Sequence, residues 1–171
     1  MKEYLIVDGY NIINNWEELK KESIHSLDNA RMKLLDIMSN YQFYKGIKII
    51  VVFDAHYVKN SMEKHEMYNE IEIVYTKELE SADNYIERFV KENANEFTIR
   101  VATSDYLEQM VILGLGGARI SARELEAEVK ETKRKLDKDY ISSSHHERNL
   151  LEHHLDSKVF KELEKLRRQK I

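Results

Sequence analysis

Apolar positions along the chain follow two periods. Tyr4-Leu5-Ile6-Val7 is a short unbroken run that stops at Asp8-Gly9, and Ile47 to Phe53 is a longer one that stops at Asp54. Such runs predict strands, and a strand apolar on both faces belongs in the middle of a parallel sheet. Ile71 to Tyr75, Thr98 to Ala102 and Ala118 to Ile120 give three more, the last at an edge. Between them the period becomes helical. Leu27, Ala30, Leu34, Ile37, Met38 and Tyr41 mark one face of a helix over 27–44, with Ser26 as its N-cap and Gly46 past its end. Ser81 opens a second helix, with Ala82, Tyr85, Ile86, Phe89 and Val90 on one face. A short third helix runs through Leu113 to the Gly114/Gly116/Gly117 cluster. Ser121-Ala122-Arg123-Glu124 has the capping-box pattern that opens a fourth, to about Tyr140.

Strands that alternate with helices in this way predict a three-layer α/β domain over residues 1–140. Its sheet is mostly parallel, with the five strands expected in the order 3-2-1-4-5. Residues 141–171 form a C-terminal extension. A polar linker from Ser142 to about Asp156 leads to an amphipathic helix carrying Val159, Phe160, Leu163 and Leu166.

Composition narrows the function. The chain has no cysteine, which excludes a disulfide framework, thiolate zinc sites and a cysteine nucleophile. No run approaches the ~20 apolar residues of a membrane span. The N-terminus passes directly into a strand without a signal-peptide pattern. These features predict a cytoplasmic protein with no membrane association. The net charge of −4 argues against a protein that coats DNA, but not against an enzyme whose carboxylates bind cations.

The carboxylates carry the strongest chemical signal. Three strands run into an aspartate or a short turn bearing one: Val7-Asp8, Phe53-Asp54 and Ala102-Thr103-Ser104-Asp105. Asp83 sits in the first turn of the helix before the fourth strand. In a parallel sheet all strand C-termini share one edge, and ligands bind there where the strand order reverses. The order 3-2-1-4-5 puts Asp8 and Asp105 on either side of that reversal, with Asp54 and Asp83 beside them. Carboxylates on separate loops suit Mg²⁺, with Mn²⁺ as an alternative, because a hard ion takes oxygen ligands and keeps several waters. Such ions activate water and stabilise charge on phosphate, so no side-chain nucleophile is required. Each aspartate alone is also explained as a turn or helix-start residue; the joint pattern is what points to a metal.

Asp8-Gly9-Tyr10-Asn11, Val52-Phe53-Asp54-Ala55-His56, Glu80-Ser81-Ala82-Asp83 and Ala102-Thr103-Ser104-Asp105-Tyr106 follow one another in the register of NYN-domain nucleases, a branch of the PIN-like superfamily. With Ser121-Ala122-Arg123-Glu124-Leu125, the chain most resembles the YacP-like members, ribosome-associated endoribonucleases of Firmicutes. The resemblance covers about residues 4–140. It implies a PIN-like/NYN fold and metal-dependent cleavage of mRNA in the ribosomal A site, with Asp8, Asp83 and Asp105 as the metal-binding core. It also gives Asn11 a role in fixing the first turn or a ligand-bound water; the other reading of Asn11 is a local backbone contact. An RNA- or ribosome-binding module without catalysis is the alternative function.

Other residues are open to two readings. Ser104 either orients a metal-bound water beside Asp105 or caps the next helix. Arg123, Lys130 and Arg134 share a helix face, with Arg119 just upstream. They form either a stripe for RNA or ribosomal phosphates or a solvated face flanked by glutamates. Tyr10 and Tyr106 adjoin the site and could stack on bases; Trp16 is better read as packing. The pairs His145-His146 and His153-His154 are better explained by a polar linker than by zinc. Sequence gives no oligomeric state.

Overall fold

The computed structural model describes residues 2–55 and 62–154, the side chains of 139–154 excepted. It contains two compact units, Met1–Lys130 and Glu131–Ile171. The strands are β1 (Glu3–Asp8), β2 (Lys48–Phe53), β3 (Lys64–Tyr68), β4 (Ile71–Tyr75), β5 (Thr98–Ala102) and β6 (Ala118–Ile120). The helices are α1 (Gly9–Asn15), α2 (Glu17–His25), α3 (Leu27–Lys45), α4 (Ala82–Asn93), α5 (Tyr106–Gly114) and α6 (Ala122–His154). The sheet order is β3-β4-β2-β1-β5-β6. Every pairing is parallel except β3 with β4. Without β3, the order is the 3-2-1-4-5 expected from the sequence.

The unbroken apolar strands sort their side chains by parity. Leu5, Val7, Ile49, Val51 and Phe53 pack with residues of α1, α2, α3 and the start of α6. Ile6, Ile50, Val52, Ile99 and Val101 pack on the other face with Tyr85, Ile86 and Val90 of α4 and Ile112 of α5. The sheet is therefore covered on both sides, which is why its central strands show no polar alternation.

Three features differ from the sequence reading. The stretch 54–70, for which the apolar pattern predicts no strand, contains β3, an edge strand with no buried residue. It reaches β4 through Asn69 and Glu70, both at positive φ (45° and 67°). That is the type I′ hairpin geometry whose twist suits the flanking strands. Where the first apolar run stops, at Asp8-Gly9, the chain passes straight into α1, a helix the apolar pattern does not predict. A Cβ on Gly9 would lie 2.4 Å from the Phe53 ring and 3.0 Å from the Val52 carbonyl oxygen, so only glycine lets this helix start so close to β2. α2 follows after a break at Trp16, whose indole N–H donates to the Ala122 carbonyl at 2.8 Å, fixing Trp16 as core. Finally, α6 does not end near Tyr140 but continues to His154, through most of the expected linker. No glycine or proline lies beyond Gly117 to stop it. The side chains of the four histidines, and the predicted terminal helix around Val159 and Leu166, lie outside the described residues. Among the described residues no helix is long and apolar enough to cross a membrane.

Candidate metal centre

The strand order reverses between β1 and β5, and the site lies at the C-terminal ends of those two strands. Val7 pairs with Ala102, which puts Asp8 level with Thr103. Asp8 also pairs with Val52, so Asp54 lies two residues past that level on the neighbouring strand. Asp83 enters from the first turn of α4, a helix capped by the Ser81 hydroxyl, which accepts from the Asn84 N–H at 3.2 Å.

Asp8, Asp83 and Glu108 bring one carboxylate oxygen each within 4.8 Å of one another. Asp8 and Glu108 are buried and Asp83 is half-buried. Both Glu108 oxygens are buried without a hydrogen bond. A buried carboxylate with no donor is costly unless a cation or a proton satisfies it. The oxygen-only donor set fits a hard divalent ion.

The electrostatics agree. Burial pushes the Asp8 carboxyl up to about 7; the Asn11 N–H opposes the shift, and the charges of Asp83, Asp54 and Asp105 add to it. Burial pushes Glu108 up to about 8; the nearby Thr103 hydroxyl opposes this, without the geometry of a hydrogen bond, and Asp83, Asp8 and Asp105 reinforce it. Asp83 is raised by burial first, then by Asp105 and Asp54. Asp8 and Glu108 thus each feel Asp83 and Asp105, and Asp54 acts on Asp8 and Asp83.

Glu108 is the member that sequence reasoning missed. It follows Asp105 by one helical turn, the i,i+3 spacing that brings two side chains to one side of a helix. The pattern of α5 conceals it. Glu108 and Ile112 are buried, while Tyr106, Leu107, Met110, Val111 and Leu113 are exposed, the reverse of what apolar content predicts. Asp105 is the N-cap of α5, accepting from the Leu107 N–H at 2.8 Å and the Glu108 N–H at 3.3 Å.

Ser104 therefore does not cap α5. Its hydroxyl accepts from the Ala122 N–H at the start of α6, at 3.2 Å. Its own N–H donates to Asn11 Oδ1 at 2.9 Å. Asn11 thereby ties the first turn of α1, which hangs from Asp8, to the loop that carries Asp105. Thr103 is fully buried; its hydroxyl accepts from the Asp105 N–H at 3.1 Å. The Tyr10 ring packs on Phe53 with centroids 5.1 Å apart, and its hydroxyl accepts from Arg31 at 2.9 Å. Tyr106 is 70% exposed next to Asp105.

The basic residues are engaged by glutamates close by in sequence. Arg119 meets Glu124 at 3.3 Å and Lys130 meets Glu126 at 2.7 Å. Arg134, in the second unit, pairs with Glu131. Arg123 adds to the field that holds the Glu124 carboxyl low.

Comparison with known proteins gives the same frame. Residues 5–168 match the model of the YacP-like NYN domain. The chain is 45% identical over 137 residues to the uncharacterized protein YacP of Bacillus subtilis (strain 168), covering 80% of each. It aligns with the crystal structure of Rae1 (YacP) from Bacillus subtilis at a TM-score of 0.71 and 42% identity, covering 96% of this chain and 94% of that one. With a mutant form of that protein the TM-score is 0.71 at 40% identity, over 82% of each chain. The chain belongs to the YacP-like NYN family and has that family's nuclease-type domain.

Proposed function

We propose that this protein is a metal-dependent endoribonuclease, using Mg²⁺ or Mn²⁺, that cleaves mRNA in the A site of the ribosome. The observation that carries the hydrolytic reading is the convergence of Asp8, Asp83 and Glu108, with two buried Glu108 oxygens that lack a donor. The ribosomal setting rests on the resemblance to YacP-like nucleases.

Asp8, Asp83 and Glu108 are the residues that would hold the ion, and Asp105 adds negative charge from the cap of α5. When bound, a divalent cation supplies Lewis acidity toward the phosphate and lowers the pKa of water. Asp54, half-buried at the rim, can take the proton released by the attacking water. Asn11 holds Ser104, and hence the Asp105 loop, in register with Asp8. Asp8 and Glu108 are buried, whereas Asp54 and Asp83 are half-buried and Asp105 is exposed, so the inner carboxylates are dry and the outer ones stay open to water. Arg119, Lys130 and Arg134 would exchange their glutamate partners for phosphates of the RNA or the ribosome, joined by Arg123; exposed ion pairs of this kind are weak enough to exchange.

The test is cleavage of single-stranded RNA and of mRNA on translating ribosomes, with a Mg²⁺ titration. Wild type is compared with Asp8→Asn and Asp83→Asn, each checked by thermal unfolding. Full activity in both folded variants refutes the mechanism. RNA binding without cleavage in wild type would assign the non-catalytic RNA- or ribosome-binding alternative.

A further inference from the structure

A crevice of five carboxylates repels the polyanion it is meant to cut, so a strand entering it needs a cationic contact close by. Arg31 has the required position. It lies one turn into α3 and reaches the edge of the sheet that carries the acid cluster. One guanidinium nitrogen donates to the Tyr10 hydroxyl at 2.9 Å, and its central carbon stands 6.0 Å from the Phe53 ring centroid. Tyr10 follows Asp8 by two residues, and Phe53 immediately precedes Asp54. Tyr10 packs on Phe53, and Phe53 stacks on Tyr75 at 5.8 Å. The guanidinium is thus fixed against an aromatic wall built from residues just after Asp8 and just before Asp54.

Its remaining hydrogen-bonding capacity is loosely used. The ion-pair partner of Arg31 is Asp28, three residues earlier on the same helix and 78% exposed. Arg31 is itself only 26% exposed, but its partner lies in solvent, where Asp28 can swing away and its charge is screened by salt. A guanidinium has five donors in a planar fork that suits phosphate oxygens. The Tyr10 hydroxyl accepts from Arg31, so its own proton remains to be donated.

We propose that Arg31 and Tyr10 form a phosphate-binding subsite that holds a phosphodiester of the RNA strand beside the metal centre, with Asp28 as the internal occupant that the phosphate displaces. The subsite rests on the nuclease reading for its substrate, but it makes a separate prediction about binding. Removing Asp28 should tighten RNA binding, whereas an Arg31 that merely braces Tyr10 predicts no gain.

The experiment measures binding of a single-stranded RNA oligonucleotide to the full chain as a function of salt, in an Asp83→Asn background that prevents cutting. Arg31→Gln should weaken binding about ten-fold, as for a lost charge-assisted hydrogen bond. It should also lower the log–log salt slope by about 0.7, the value for one phosphate contact on a single strand. Tyr10→Phe should weaken binding less, and Asp28→Asn should tighten it several-fold. Oligonucleotides with one neutral methylphosphonate linkage locate the contact. One linkage near the cut should weaken the unsubstituted protein and have no further effect in Arg31→Gln.

An unchanged salt slope in Arg31→Gln, or no linkage whose effect disappears, overturns the subsite. If Arg31→Gln does not fold, Asp28→Asn decides, and binding no tighter than the parent overturns the proposal. Cleavage by the otherwise wild-type protein separates the two readings. Cleavage lost in Asp8→Asn, with unaltered binding in the Arg31 variants, keeps the nuclease and removes the subsite. The predicted binding pattern in a protein that never cleaves keeps the subsite and removes the nuclease.

Discussion

The backbone N–H of Glu108 donates to the Asp105 carboxylate at 3.3 Å, so the residue that caps α5 also fixes the turn that carries Glu108 into the acid cluster. Cap and charge can be separated by substitution. Asparagine caps as well as aspartate, so Asp105→Asn should keep thermal stability while reducing Mg²⁺ affinity. Asp105→Ala should cost about 1 kcal/mol as well. Glu108→Gln should reduce cleavage by more than the ~10–100-fold typical of groups outside the ligand set. Urea unfolding and a Mg²⁺ titration of cleavage on the same preparations read both effects.

The acid cluster also sets a pH dependence. Asp8 and Glu108 hold their protons more tightly folded than unfolded, at about 7 and about 8. Their contribution to stability is therefore complete below the unfolded carboxylate pKa of about 4, and it is lost as pH rises through the folded values. Without divalent cations the melting temperature should fall from about pH 5 to about pH 9. Saturating Mg²⁺ should flatten that fall, and Glu108→Gln should reduce it. A metal-free profile that rises over this window would contradict the assignment.

Gly9→Ala tests the close approach of α1 to β2. The added Cβ meets the Phe53 ring and the Val52 carbonyl oxygen, and backbone cannot move aside as a side-chain end can. A cost of about 1–3 kcal/mol is expected, or roughly 2–4 °C per kcal/mol in a chain of this size. Because Asp8 caps α1, cleavage should fall further than folding does.

Glu70→Gly should act in the opposite direction. Glu70 holds a φ of 67° in the β3–β4 turn, where a side chain is strained and glycine is not. An Asn-Gly turn suits this hairpin, and a gain of about 1 kcal/mol is expected. The turn lies at the end of the sheet away from the carboxylates, so cleavage should be unchanged while the unfolding midpoint rises.

The central strands were legible because burial on both faces leaves no polar residue to interrupt β1 or β2. That Asp8, Asp54, Asp83 and Asp105 lie near one edge was legible because each stands at the end of an element; that Glu108, not Asp105, joins Asp8 and Asp83 was not. α1 and α2 left a signal in Ile12, Ile13, Trp16 and Leu19, all buried at helical spacing, which the turn-like Asp8-Gly9 obscures. β3 left none, because an edge strand over solvent needs no apolar face. Glu108 was hidden for a different reason. A glutamate in an apolar helix is expected to face water, yet Glu108 is buried beside Asp8 and Asp83 while the apolar residues around it are exposed.

That inversion leaves α5 with little apolar anchorage. Its nine residues reach inward mainly through Ile112 and the carboxylate of Glu108, with the Gln109 side chain bonded to the Thr103 carbonyl at 2.7 Å. A segment with so little apolar anchorage lies at the low end of local stability. Its amides should exchange with deuterium readily when the cluster is empty of cations and slowly when it is filled, while those of β1 and β2 stay protected in both cases. If the cluster binds a cation, whatever factor the cation adds to the closed form of α5, closure adds to cation affinity.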